Sequence, residues 1–208
     1  MISKLHYITQ ETTQGKNLID LTENALKGGV DWVQLRMKNA PYQEFLEHAK
    51  VVRHITKEYG AKLIINDNVQ IASEVDADGV HLGMADMPVH DARLQLGLDK
   101  IIGGTCNTFE DVIRRSCENV DYIGLGPLRF TATKNQLSPI LGLEGFKEIF
   151  KQLQGHNITI PIIGIGGIEP NDLFELQQIG FHGVAVAGVI NRESDPDQVI
   201  KQFNDILK

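Results

Sequence analysis

Two aspartates, Asp67 and Asp86, each follow a short apolar run, Leu63-Ile64-Ile65-Asn66 and Gly79-Val80-His81-Leu82-Gly83. If these runs are neighbouring parallel strands they lie roughly 4.8 Å apart, and both carboxylates reach one ion. Two carboxylates without histidine or cysteine suit a hard cation such as Mg²⁺. Such a pair leaves coordination positions for water and substrate oxygens, as when Mg²⁺ sits on a diphosphate. The alternative makes Asp67 and Asn68 caps of the following helix and Asp86 a cap before Pro88.

A second group is Gln34-Leu35-Arg36-Met37-Lys38, at the end of another apolar run. Strand alternation turns Gln34 and Arg36 to one side, and a buried guanidinium needs an anionic partner. Arginine suits bidentate contact with phosphate or carboxylate, and Lys38 adds a point charge. A structural ion pair of Arg36 with Asp67 is the competing reading. The segment from Gly126 to Gly142 is the longest connection, and long ordered connections are often functional. Within it Thr131, Thr133 and Lys134 offer two hydroxyls and a cation to phosphate oxygens. An ordinary solvated loop is the alternative. Gly166-Gly167 and Gly188 end the last two runs, where backbone N–H groups can approach a phosphate; glycine also serves turns there. Thr105 ends the fifth run and is a phosphate-contact candidate. His81 reads as a hydrogen-bonded core histidine, and Cys106 as a small apolar filler.

These groups share one face only if the chain alternates strands and helices. Strand-like runs lie at 4–9, 31–36, 61–66, 79–83, 100–104, 121–126, 160–165 and 183–187. Helical periods fall at 16–27, 41–58, from 68, 88–97, 108–117, 143–153, from Pro170 to Gly180, and from Asp195-Pro196 to the end. In the last of these, Val199, Ile200, Phe203, Ile206 and Leu207 share a face. Leu63-Ile64-Ile65 and Ile160-Pro161-Ile162-Ile163 are continuous apolar runs, as parallel strands covered on both sides should be. The pattern predicts a compact (β/α)8 barrel forming one domain over 1–208, with the site at the C-terminal ends of the strands. A doubly wound sheet would carry a Gly-rich turn after its first strand, and Thr9-Gln10-Glu11-Thr12-Thr13 is not one.

The 208 residues suffice for one sizeable core, with 42% hydrophobic residues and a net charge of −7. Apolar runs fall far short of the roughly 20 residues that span a bilayer. The first residues carry no apolar signal region, and Cys106 and Cys117 have no metal or redox spacing. A cytoplasmic protein is expected, with small-molecule partners, no nucleic acid and no membrane. Nothing basic and aromatic suggests nucleic-acid binding, and a homo-oligomer is left open.

Taken in order, QLRMK (34–38), IND (65–67), ADGVHLGMADMP (77–88), DYIGLGP (121–127), FTATK (130–134), IGIGGI (163–168) and GVAVAG (183–188) resemble the thiamine-phosphate synthase family over nearly the whole chain. The resemblance implies a (β/α)8 barrel. It implies a Mg²⁺-dependent transferase that joins 4-amino-2-methyl-5-hydroxymethylpyrimidine diphosphate to a thiazole phosphate and releases diphosphate. It further implies that Gln34, Leu35, Arg36, Met37 and Lys38, with Asn66, Thr105 and Lys134, form the pyrimidine-diphosphate site. Arg36, Lys38 and Lys134 would be catalytic, and Asp67 and Asp86 would hold the metal. Thr131, Ala132, Thr133, Gly167, Ala187 and Gly188 would take the thiazole phosphate. Three departures stand out: Thr105 and Gly188 replace serines common in the family, and Met84 a common glutamine. Rival readings are a thiazole tautomerase on the same barrel, a Schiff-base aldolase, and a non-catalytic thiamine-precursor binding protein.

Overall fold

The computed structural model describes residues 1–13, 15–130, 139–193 and 195–208. Eight parallel strands close into a barrel: β1 (Leu5–Ile8), β2 (Trp32–Leu35), β3 (Lys62–Asn66), β4 (Gly79–Leu82), β5 (Ile101–Cys106), β6 (Tyr122–Leu125), β7 (Ile162–Ile165) and β8 (Gly183–Val186). Closure runs through β1, which pairs with β8 (Leu5 opposite Val184) and with β2 (Tyr7 opposite Val33). The outer layer comprises α1 (Leu18–Lys27), α2 (Tyr42–Glu58), α3 (Val69–Glu74), α4 (Val89–Leu96), α5 (Phe109–Cys117), α6 (Gly142–Leu153), α7 (Leu173–Ile179), the short α8 (Gly188–Asn191) and α9 (Pro196–Leu207).

Alternation along each strand divides the core in two. Leu5, Tyr7, Val33, Leu35, Leu63, Ile65, Val80 and Leu82 join the large cluster between strands and helices. Ile8, Trp32, Ile64, Tyr122, Ile163 and Ala185 form a second cluster inside the barrel. Both faces are covered, so the runs are apolar at nearly every position. Inward polar side chains gather towards the C-terminal ends, where Gln34, Asn66 and His81 are buried and Thr105 half-buried; His6, near the start of β1, is buried deeper, against Trp32 and Tyr122. The inner layer is tight. A Cβ at Gly103 would lie 2.2 Å from Cζ of Tyr122, whose ring is fully buried. Gly103→Ala should therefore destabilise the fold by about 1–3 kcal/mol, as overpacking does. The urea midpoint reads this, and an unchanged midpoint refutes it.

Several boundaries differ from the sequence reading. Thr12–Thr13 and Lys16–Asn17 pair antiparallel, so α1 starts at Leu18, capped by the Asn17 side chain, which accepts from Ile19 and Asp20 N–H at 2.9 and 3.0 Å. Pro170–Asp172 is a 3₁₀ turn preceding α7, and the four-residue α8 follows β8 at once. On α9 Ile200, Phe203 and Leu207 are buried while Ile206 is exposed; Ile206 falls at the margin of that stripe. Among the described residues no helix is long and apolar enough to cross a membrane.

Candidate active site

The acidic pair forms where β3 and β4 end. Asp67 has φ 65°, a left-handed conformation uncommon outside glycine, in which aspartate and asparagine are enriched. Its N–H donates to the carbonyl of His81 at 2.8 Å, and Asn68 N–H donates back to Asn66 C=O at 2.8 Å. This i→i+2 bond around a positive φ marks a rare, strained γ-turn. The turn separates two roles that sequence alone left open. Asn68 caps α3 by accepting from Ile71 N–H at 2.9 Å, and Asp67 does not cap. Asp86 is likewise no cap for α4; its Oδ2 accepts from Gly83 N–H at 2.6 Å. The carboxyl groups of Asp67 and Asp86 are within hydrogen-bonding reach. Burial raises the Asp67 carboxyl above the usual range; the hydrogen bond from Lys38 opposes this, and Asp86 adds to it. Among the described residues no three or more His, Cys, Asp or Glu side chains could hold a metal ion together, so the acidic site is a pair.

Cations approach the pair from β2. Lys38 Nζ lies 2.9 Å from Asp67 Oδ2. Lys38, not Arg36, is thus the direct partner, a correction to the ion pair weighed from sequence. Arg36 lies just past β2 and is half-buried. Burial lowers its guanidinium from the usual value, against the charges of Asp67 and Glu11. Thr9, at the end of β1, fixes the backbone there: its Oγ1 accepts from Arg36 N–H at 2.9 Å. Beside them Gln34 Nε2 donates to Asn66 Oδ1 at 2.7 Å, which fixes both amide orientations inside the mouth. Leu35 and Met37 are buried in the helix-facing core.

The third element descends into the barrel. His81 Nδ1 is 2.9 Å from the Tyr122 hydroxyl and Nε2 is 2.9 Å from Thr105 Oγ1. Burial raises the Tyr122 phenol far above its usual value, so it is a neutral donor. No other described acceptor takes its hydrogen, so Tyr122 donates to Nδ1, and Nε2–H donates to Thr105. In this arrangement the Thr105 hydroxyl accepts from His81 and keeps its own hydrogen to donate. Cys106 is buried, and burial pushes its thiol up to about 12, so it is no nucleophile at neutral pH.

At the far side of the mouth, Gly166 and Gly167 adopt φ 97° and 67°. Ala187 and Gly188 lead into α8, which is held to β1 by Tyr7 O–H donating to Asn191 Oδ1 at 2.9 Å. A Cβ at Gly188 would lie 2.6 Å from Nη1 of Arg192, so a guanidinium occupies the room a side chain would need. Thr131, Ala132, Thr133 and Lys134 lie outside the described residues.

Three arginines were not singled out from sequence. Arg115, on the buried stripe of α5, donates through Nη2 to Leu82 C=O at 3.3 Å and to Gly83 C=O at 2.8 Å, so it steadies the two peptides on either side of Gly83, the first of which carries the N–H that holds Asp86. An arginine on an otherwise apolar helical face was its signal. Arg129 binds Asp172 and Gly167, and Arg192 overlies Gly188; neither carries a local pattern. A groove of about 470 Å³ between α6 and α7, lined by Lys147, Phe150 and Glu175 among others, belongs to the outer helical layer and contains none of this chemistry.

A family model described as thiamine monophosphate synthase matches residues 5–190. A thiamine-phosphate synthase of Flavobacterium psychrophilum is 46% identical over 207 residues, covering 100% of both chains. One of Phocaeicola vulgatus is 46% identical over 203 residues, covering 98% of this chain and 97% of its own. Among solved structures, a thiamine phosphate pyrophosphorylase from Pyrococcus furiosus is similar with a TM-score of 0.81 at 31% identity, covering 98% of this chain and 95% of that one.

Proposed function

The chain belongs to the thiamine monophosphate synthase family and is a transferase of thiamine biosynthesis, and from that premise we propose how its barrel mouth makes thiamine phosphate. The substrates are the pyrimidine diphosphate and 4-methyl-5-(2-phosphooxyethyl)thiazole. The bond between the exocyclic CH₂ carbon and the diphosphate oxygen breaks, and its electron pair leaves with diphosphate. The 4-amino group feeds electrons into the ring and stabilises the resulting cation. The thiazole nitrogen lone pair then closes the new C–N bond.

The chain needs no covalent nucleophile for this; it must stabilise a growing negative charge and hold two rings together. Arg36 and Lys38 face the departing diphosphate, and Lys134 is assigned to the same role. Gln34 and Asn66, locked to each other by a 2.7 Å bond, present fixed amide groups to the pyrimidine substrate, and Thr105 presents a hydroxyl donor. Leu35 and Met37 support that strand end from the core side. Thr131, Ala132, Thr133, Gly167, Ala187 and Gly188 take the thiazole phosphate.

Asp67 and Asp86 suit Mg²⁺. They are hard oxygen donors, among the described residues no histidine or cysteine joins them, and two carboxylates crowded together beside a strained turn gain from a cation. Bound there, Mg²⁺ would neutralise charge on the leaving diphosphate.

The observation that carries this reading is the meeting of Asp67, Asp86, Lys38 and Arg36 at one strand-end cluster. Purified protein with both substrates and Mg²⁺ is expected to yield thiamine phosphate and diphosphate in equal amounts, and neither after chelation. Rearrangement of the thiazole phosphate without diphosphate release would make it a tautomerase. Binding of both compounds without turnover would make it a precursor-binding protein. Either outcome overturns the proposal.

A further inference from the structure

We propose that Arg129, held by Asp172, is a positioning residue for the thiazole phosphate: it sets the direction of two successive backbone N–H groups, those of Gly167 and Ile168. The inference rests on the reading that this phosphate docks at Gly167.

Arg129 is bonded to this loop at two points. Its backbone N–H donates to Gly166 C=O at 2.9 Å, and its Nη1 donates to Gly167 C=O at 2.8 Å. The guanidinium itself is fixed by Asp172, with Nη1 and Nη2 each 2.6 Å from a carboxylate oxygen. Asp172 is buried, and its Oδ2 also accepts from Glu169 N–H at 2.8 Å. Burial alone would raise the Asp172 carboxyl, yet the bonds from Arg129 and Glu169 hold it below its usual range. Exposed ion pairs contribute little to stability; a two-pronged bond to a buried carboxylate with a third bond to a carbonyl is a more demanding arrangement, and it uses the planar fork that lysine lacks.

The geometric consequence comes from the planarity of the peptide. In a trans amide the N–H points opposite to the C=O of the same unit. The carbonyls of Gly166 and Gly167 are turned towards Arg129, whose partner Asp172 belongs to the helical layer. The N–H groups of Gly167 and Ile168 therefore turn the other way, over the mouth. Among the described residues neither has an acceptor. Successive N–H groups in a turn form an anion-binding concavity, and the chain bends at Gly166 and Gly167, both at positive φ. Gly166 is also packed tightly, since a Cβ there would lie 2.4 Å from Cβ of Pro127.

The test is a KM comparison for both substrates, with calorimetric titration of the thiazole phosphate alone. Arg129→Ala is expected to raise Kd and KM for thiazole phosphate about 10- to 100-fold, as loss of an orienting partner does at other sites. KM for the pyrimidine diphosphate should stay within about twofold, because that site is built mainly from β2 to β5, with Lys134 its one assigned residue beyond β6. Arg129→Lys keeps the charge for Asp172 but cannot also hold the Gly167 carbonyl; it should give a similar rise, and it reads the proposal if the alanine variant loses its fold. Gly167→Ala, checked for folding by thermal melt, tests the docking itself. If a folded Gly167→Ala binds thiazole phosphate normally, the phosphate lies elsewhere, and both the site reading and this inference fall. If Gly167→Ala weakens binding but the Arg129 variants do not, or if they weaken both substrates equally, the positioning role alone is overturned.

Discussion

Asp67→Asn is expected to cut thiamine phosphate formation by on the order of 10²- to 10³-fold, the scale seen when one stabilising group is removed from a developing charge, while the thermal midpoint stays close to that of the parent. The backbone explains the second half. Asp67 sits at φ 65°, and asparagine tolerates this region as well as aspartate does. The amide keeps an oxygen in the same place, and the carboxylate repulsion with Asp86 disappears. Little folding energy is lost with the Lys38 contact, because Lys38 and Asp67 are 46% and 28% exposed and such pairs contribute about 0–1 kcal/mol. The loss should thus be functional: a weaker hold on Mg²⁺ and a poorer field for the leaving group. The measurement is single-turnover rate against Mg²⁺ concentration, with both substrates saturating. A variant with the parent's rate and Mg²⁺ dependence removes Asp67 from the machinery. Asp86→Asn should lose activity too, and the double variant should cost much less than the two losses combined, because the pair acts as a unit.

That pair was legible from sequence because position along a strand is coded twice, by the apolar run and by the residue that ends it. Leu63-Ile64-Ile65 has to be covered on both faces, so the polar residues after it have to emerge at the barrel end. The same logic gave the closed eight-stranded barrel. It weakens once the chain leaves the strand. Alternation fixes the side taken by Gln34, but Arg36 and Lys38 lie beyond Leu35, where β2 ends. Their directions are set by Thr9 and by Asp67, contacts from other units that no local period encodes. Arg115 and Arg129 were passed over for the same reason: each acts on a carbonyl of a neighbouring strand-end loop. The elements missed outright, the 12–17 hairpin and α8, are too short to show a period. Conversely, the turn around Asp67 shows why its neighbour Asn68 looked like an equal candidate. Both are cap-forming residue types, and only the backbone conformation shows that Asn68 caps α3 while Asp67 faces Asp86.

The second large effect concerns stability in acid and originates beneath the site, in the barrel interior. His6 is fully buried, stacked on Trp32 with ring centroids 4.3 Å apart and edge-on to Tyr122 at 5.1 Å. Its Nε2 bonds Ser3 C=O at 2.9 Å, so that nitrogen carries the hydrogen, while buried Nδ1 has no described partner. Protonating Nδ1 would place a cation with nothing to accept its hydrogen. Burial accordingly lowers the imidazole from 6.5 to about 3; the Ser3 bond resists this, and the charges of His81 and His182 add to it. Between those two values the unfolded chain binds a proton that the folded chain refuses. The contribution is therefore complete above 6.5 and lost as pH falls towards 3, at up to about 1.4 kcal/mol per pH unit. Over the whole window this is several kcal/mol, a large share of the roughly 5–15 kcal/mol that holds a domain folded. His6→Phe keeps a ring against Trp32 and removes the titration. It should lose about 1 kcal/mol at neutral pH from the vacated Ser3 carbonyl, then converge on the parent and overtake it as the solution is acidified from pH 7 towards 4.5. Urea midpoints of both proteins across that range decide the matter, since subtracting one curve from the other cancels every other titrating group. Two parallel curves would mean that His6 takes up its proton as readily in the barrel as in the unfolded chain, and that the interior admits the charge.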